Sequence, residues 1–191
     1  MHRYREPMQL LTSDDPRRRA LEALPRRTGG AAAVDVDPPR GMERIEVRAA
    51  LPGRTFAELT EELLTGQVQE RAGLHVAATS ARLQIGTHLL MTLRLGPLRI
   101  GVPCEVVEVR EEPGLASFTY ATLAGHPEQG LERFTVIASP GSDPELRITA
   151  ASAPALWWSR LGSPVTRLLQ RRITARYLAA LRTPAPAPPR R

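Results

Sequence analysis

Between residues 42 and 152 apolar and polar positions alternate in short runs, and each run ends on a turn signal. Met42–Ala50 sets Ile45, Val47 and Ala49 against Glu46 and Arg48, the period-two pattern of a strand with one buried face. Runs of similar character follow at His75–Arg82, Thr87–Leu95, Arg99–Glu111, Leu115–Leu123, Leu131–Ala138 and Glu145–Ser152. Gly86, Gly96-Pro97, Glu112-Pro113-Gly114, Gly125-His126-Pro127 and Ser139-Pro140-Gly141-Ser142 separate them. Helical spacing interrupts this pattern after the first strand. There Thr55 precedes Phe56, Leu59, Leu63 and Leu64, and a shorter segment, Gln67–Ala72, stops at Gly73. It returns at the end, where Pro164 opens a helix through Leu181 with Val165, Leu168, Leu169, Ile173, Tyr177, Ala180 and Leu181 on one stripe.

One strand, two short helices, a series of antiparallel strands and a long helix has a physical logic. The sheet must bury its apolar face, and the last helix supplies the matching stripe. The pattern predicts an α+β fold of the helix-grip type, as in START-like and birch-pollen-allergen-like domains. A curved antiparallel sheet of six to seven strands would wrap around a long C-terminal helix.

The two ends differ from this middle. Residues 1–40 read as a flexible Arg/Pro/Gly-rich arm, with a short helix through Leu24 capped by Asp and carrying Pro16 early. The stretch Arg27–Pro39 has linker chemistry, and residues 183–191 form a Pro-rich, extended tail. The folded domain is expected over residues 41–182.

Charge adds less than its size implies. All 26 Lys+Arg positions are Arg and the formal net charge is +6, but the arginines are dispersed, which argues against a nucleic-acid interface. A single cysteine, Cys104, excludes an intramolecular disulfide and a multi-cysteine metal site. No run approaches the roughly 18 apolar residues of a membrane span, and the N-terminus carries acidic residues and lacks an apolar stretch of signal-peptide length, so the expected location is the cytoplasm. No Walker, G-x-G-x-x-G or G-x-S-x-G motif is present, no cofactor is implied, and the oligomeric state stays open.

Two segments carry a resemblance. Phe118–Glu128 reads FTYATLAGHPE, and Gly130–Phe134 continues it as GLERF. Together they resemble the central motif of the DUF1990 family, also called UPF0548, approximately F-x-Y-G-T-L-x-G-H-P-E-x-G-E-E-x-F. Leu95–Leu98, Cys104–Val107 and the segment from Pro164 to Leu181 also resemble that family. It implies a START/Bet v 1-like (SRPBCC-type) helix-grip fold over roughly residues 41–182, and no reaction. Ala121 stands where the family usually has Gly, Leu131 replaces the first Glu, and Gly66 falls near a usual Trp.

Alternation proposes a site. If Phe118 and Phe134 point inward, Tyr120, Thr122 and Glu132 do too. A buried Glu beside a hydroxyl donor can orient a polar ligand group or act as an acid/base with a raised pKa. The plainer reading pairs Glu132 with an Arg or with strand-end amides. His126 in the Gly125–Glu128 turn is a second acid/base candidate, against the commoner role of a turn histidine bonded to backbone. Its H-x-E spelling lacks the downstream P-C-x-x-C of a zinc deaminase. His75 and His88 are unclustered, so no metal site is expected. Trp157 either closes a pocket mouth or anchors the last helix. The resulting expectation is a domain that binds a small apolar or amphipathic molecule between sheet and final helix. Met91, Phe118, Phe134 and Trp157 would form walls, and Tyr120, Thr122 and Glu132 polar fixing points. The alternatives are an enzyme using Glu132, His126 and Tyr120 in acid–base chemistry, and a protein-binding module without a small ligand.

Overall fold

The computed structural model describes residues 8–30, 32–155 and 175–182. The alternating runs become strands and the helically spaced ones helices. In chain order they are β1 (Gln9–Leu10), α1 (Pro16–Glu22), β2 (Glu43–Ala50), α2 (Phe56–Leu64), α3 (Gln67–Arg71), β3 (His75–Ala78), β4 (His88–Leu95), β5 (Leu98–Glu112), β6 (Leu115–Thr122), β7 (Glu128–Ile137) and β8 (Glu145–Pro154). A helix over 175–182, here α4, follows. One eight-stranded sheet runs in the order β1-β3-β4-β5-β6-β7-β8-β2, antiparallel except for the β1–β3 pair. None of the described helices is long and apolar enough to cross a membrane.

All seven expected strands are present, and the eighth corrects the count of six to seven. β1 is too short to show alternation; it is held by the parallel pairing of Gln9 with Ala77 and Leu10 with Ala78. The long C-terminal helix is described only as the short α4. The start expected at Pro164 lies outside the described residues.

The helix caps follow the sequence signals. Asp15 accepts from the Arg17 amide with Pro16 at the first helical position, and Thr55 and Glu58 form a reciprocal capping box at α2. Gly66, left-handed at φ 71°, turns the chain between α2 and α3, a conformation that favours glycine.

The inner face of the sheet is organised in rows. One row runs Val109, Phe118, Phe134, Ile148, Val47, and the next Ala116, Val136, Leu146, Ala49. Leu59, Leu63 and Leu64 of α2 join these residues in the main core, as do Tyr177 and Leu181 of α4. Phe118 and Phe134 stack with ring centroids 5.3 Å apart, and Tyr177 meets Phe134 edge-on at 5.0 Å. A bulge shifts the register of β5 between Val106 and Glu108, so that Val109 faces the same main core as Val106, three residues earlier, while Val107 packs on the other side.

The outer face is also covered. Leu11, Leu21 and Leu123 form one small apolar cluster, and Val34, Ala121, Leu131 and Ala151 another. The segment read as a loose arm supplies Leu11, Leu21 and Val34 to these clusters. It is further tied down by the Arg26–Leu123 bridge, by ion pairs Arg26–Glu105 and Arg133–Asp35, and by the Arg27 amide donating to the Thr122 carbonyl.

Candidate functional site

Next to the Phe118–Phe134 row lies Val106, Tyr120, Glu132, Ala150, Ile45. Strand parity places Tyr120 and Glu132 on the inner face, as the sequence pattern requires, and their pairing across β6 and β7 makes them direct neighbours. The Tyr120 hydroxyl donates to Glu132 Oε2. Beside Glu132 on β8 stands Ala150, and two residues earlier on its own strand is Gly130, so small residues flank the carboxyl. Glu132 is enclosed by protein yet keeps part of its side-chain surface accessible.

Burial pushes the Glu132 carboxyl up to about 7; the Tyr120 hydrogen bond opposes the rise and the neighbouring Glu128 adds to it. Burial likewise raises Tyr120, Tyr177 and Cys104 well above their ordinary values, with Glu132 a further cause in each. Cys104 is a buried thiol whose surroundings disfavour the thiolate that a nucleophile requires. Glu128, also raised by burial, accepts from the Ser152 hydroxyl at 2.8 Å. No group of three His, Cys, Asp or Glu among the described residues is placed to hold a metal ion.

The other sequence candidates separate. Phe118, Phe134 and Met91 belong to the main core with Tyr120. Thr122 shares the parity of Tyr120, but its hydroxyl donates to the Arg27 carbonyl and accepts from the Gly130 amide, so it ties the N-terminal segment to the β6–β7 connection. His126 is buried in the turn, its Nδ1 accepting from the Glu128 amide at 2.9 Å, which places the proton on Nε2. Burial takes this imidazole down to about 4. Trp157 lies outside the described residues. Tyr177 was read only as part of a helical stripe; its placement against Phe134, close enough to Glu132 to shift its hydroxyl, is what the pattern missed. A shallow open groove of about 440 Å³, lined by residues including Gly29, Arg40, Met42 and Gln129, contains none of Tyr120, Glu132, Cys104 or Tyr177.

The model of the family described as "domain of unknown function (DUF1990)" matches residues 28–180. The chain belongs to the DUF1990 family. No curated protein matches it. Among solved structures, a hypothetical protein of Helicobacter pylori aligns with TM-score 0.51 at 12% identity, covering 73% of this chain and 84% of that one. A ginseng (Panax ginseng) major latex-like protein 151 gives 0.47 at 14% identity over 73% and 97%. A point mutant of Thalictrum flavum norcoclaurine synthase, in complex with a transition-state analogue, gives 0.47 at 11% over 73% and 94%. At these identities the likeness concerns the fold.

Against the DUF1990 motif, the two departures Ala121 and Leu131 prove to be a cross-strand pair. Both lie on the outer face with Val34 and Ala151, on the opposite side of the sheet from Glu132. Glu132, the acidic residue next to Leu131, is the inward one.

The Glu132 shift makes a stability prediction. An acid whose pKa is higher folded than unfolded stabilises the protein at low pH, and that contribution is lost as pH rises from the unfolded value, 4.5, to the folded value, about 7. The stability difference between wild type and Glu132→Gln should therefore move against the wild type by about 3 kcal/mol across that window, since one pKa unit is about 1.4 kcal/mol. Urea unfolding of both proteins over this pH range checks it; a constant difference would remove the buried carboxylic acid. His126 acts in the opposite sense, gaining stability as pH rises from about 4 to 6.5, so the wild-type curve should be flatter between 4.5 and 6.5 than that of Glu132→Gln.

Proposed function

We propose that this DUF1990 protein binds a small apolar or amphipathic molecule between the inner face of the sheet and the C-terminal helix, with the ligand's polar group at Glu132. One observation carries the reading: an ionisable carboxyl beside the apolar main core, flanked by Ala150 and Gly130 and, among the described residues, bonded to one hydroxyl. A carboxyl there opposes stability at neutral pH, so a core selected for packing alone has no use for it. Small-molecule sites commonly have this composition, apolar walls with few oriented polar groups. Tyr120 is the second fixing point, and Met91, Phe118, Phe134 and Tyr177 line the apolar side.

A second reading uses the same pair. A carboxyl near 7 beside a tyrosine hydroxyl is equipped for general acid–base chemistry on a bound molecule. His126 is a weaker candidate because its Nδ1 is occupied by backbone. A module that binds a protein partner without any small ligand would leave the buried carboxyl unused.

Native mass spectrometry of the purified protein, followed by denaturing extraction, tests the leading reading. The expected result is a mass increment that disappears on denaturation and is depleted in Glu132→Gln. An increment unchanged by that substitution would place the ligand elsewhere, and an unliganded mass that persists after incubation with a panel of apolar and amphipathic compounds would sink the proposal.

A further inference from the structure

The sign of charge around Glu132 narrows the ligand class, given that the inner face is a binding site. The chain carries 26 arginines and a net charge of +6, and its other enclosed carboxylates are commonly matched to them. Glu62 bonds Arg54 and Arg71, Glu105 bonds Arg26, and Glu108 bonds Arg133. Glu132 is different. Among the described residues its partner is a neutral phenol, and the charge that acts on it is a second carboxyl, Glu128. An anionic head group would meet like charge here, whereas a neutral one would leave the carboxylate uncompensated.

Tyr120 and Tyr177, the two phenols that interact with Glu132, belong to an aromatic cluster. Tyr120, Phe118 and Phe134 lie with ring centroids 5.3 to 6.3 Å apart, and Tyr177 of α4 closes on Phe134 at 5.0 Å. A carboxylate bordered by aromatic rings has the chemistry that recognises an organic cation, combining ion pairing with attraction to the ring quadrupoles. We propose that the ligand is an organic cation, a protonated amine on an apolar or aromatic body, with Glu132 as its counter-ion and Tyr120 fixing the carboxylate.

Binding would then be coupled to proton release from Glu132. Among the described residues, the groups facing this carboxyl are Tyr120 from β6, Cys104 from β5, Glu128 on its own strand and Tyr177 from α4. The phenols and the thiol stay protonated through neutral pH, so the two glutamates supply the pH dependence.

Three dansyl probes with the same aromatic body test this on the full chain: one ending in a primary amine, its N-acetylated neutral form, and one ending in a carboxylate. At about pH 8 the amine should bind roughly tenfold or more tighter than the neutral probe, and the carboxylate weakest. The preference should shrink at about pH 5.5, where Glu132 holds its proton. Glu132→Gln should abolish the preference of the site for the amine over the neutral probe. Equal binding of amine and neutral probes, or preference for the carboxylate, overturns the cation assignment and leaves the binding site standing. Failure of all three probes to bind overturns both.

Discussion

Replacing Gly130 with alanine is expected to cost more than about 4 kcal/mol, at the upper end of single-substitution effects, and to reduce soluble yield sharply. A Cβ at this position would lie 2.0 Å from the Ala151 carbonyl oxygen, 2.7 Å from Ser152 Cα and 2.9 Å from Ser152 Cβ. Two of these are backbone atoms of β8, a strand paired on both sides, so no side-chain rotation can relieve the overlap. The Gly130 amide is also engaged, donating to the Thr122 hydroxyl at 3.0 Å and the Arg27 carbonyl at 3.1 Å. Gly101 provides the control, because its nearest neighbour to an added Cβ is the flexible Leu90 Cδ1 at 3.7 Å. Gly101→Ala should stay within about 0.5 kcal/mol of wild type. Urea midpoints for the two variants decide the matter; similar costs would refute the close-approach account.

Arg54→Met should cost about 3–5 kcal/mol, the usual penalty for breaking a buried ion pair by removing one partner. The Arg54 side chain is buried; its Nη1 donates to the Leu181 carbonyl at 2.7 Å and its Nη2 to Glu62 at 2.8 Å, while Arg71 donates to the other Glu62 oxygen at 2.7 Å. The guanidinium thus satisfies a carbonyl in the last turn of α4, where helices leave acceptors unpaired, and locks that helix to α2. Loss of Arg54 strands Glu62 with Arg71 and frees the end of α4. Hydrogen exchange should show the difference as faster exchange over residues 175–182 in the variant, beyond the change in global stability. Uniform acceleration across all strands would instead indicate that Arg54 does not hold this helix in particular.

Much of this arrangement was readable from the chain because it depends on period and parity. Alternation placed seven strands and put Tyr120, Glu132, Phe118 and Phe134 on one face. Since a β-strand alternates strictly, a single inward aromatic fixes the side of every second residue. The features that were not readable depend on long separations in sequence. Thr122 has the right parity, but the Arg27 carbonyl, 95 residues away, occupies its hydroxyl. Arg54 reaches Leu181 across 127 residues, and no local pattern marks such a pair. β1 has only two residues, below the length at which alternation exists. The bulge in β5 changes facing partway along a single run of valines, so strict parity carried through Val107 puts the later residues on the wrong side. Leu131 raised doubt as the site of a missing acid, and its side became clear once the Ala121–Leu131 pair was seen against Val34.

The same sheet packs on both faces, and this divides its duties. Leu11, Leu21 and Val34 bury apolar positions of the outer surface, while the caps and the Arg54 clasp stabilise the rim. Cohesion therefore does not rest solely on the concave side. Residues around Tyr120 and Glu132 can diverge in size and polarity at a lower cost in folding than a protein with one core would bear. Over evolutionary time such a sheet can vary on one face while the packing of the other conserves its architecture.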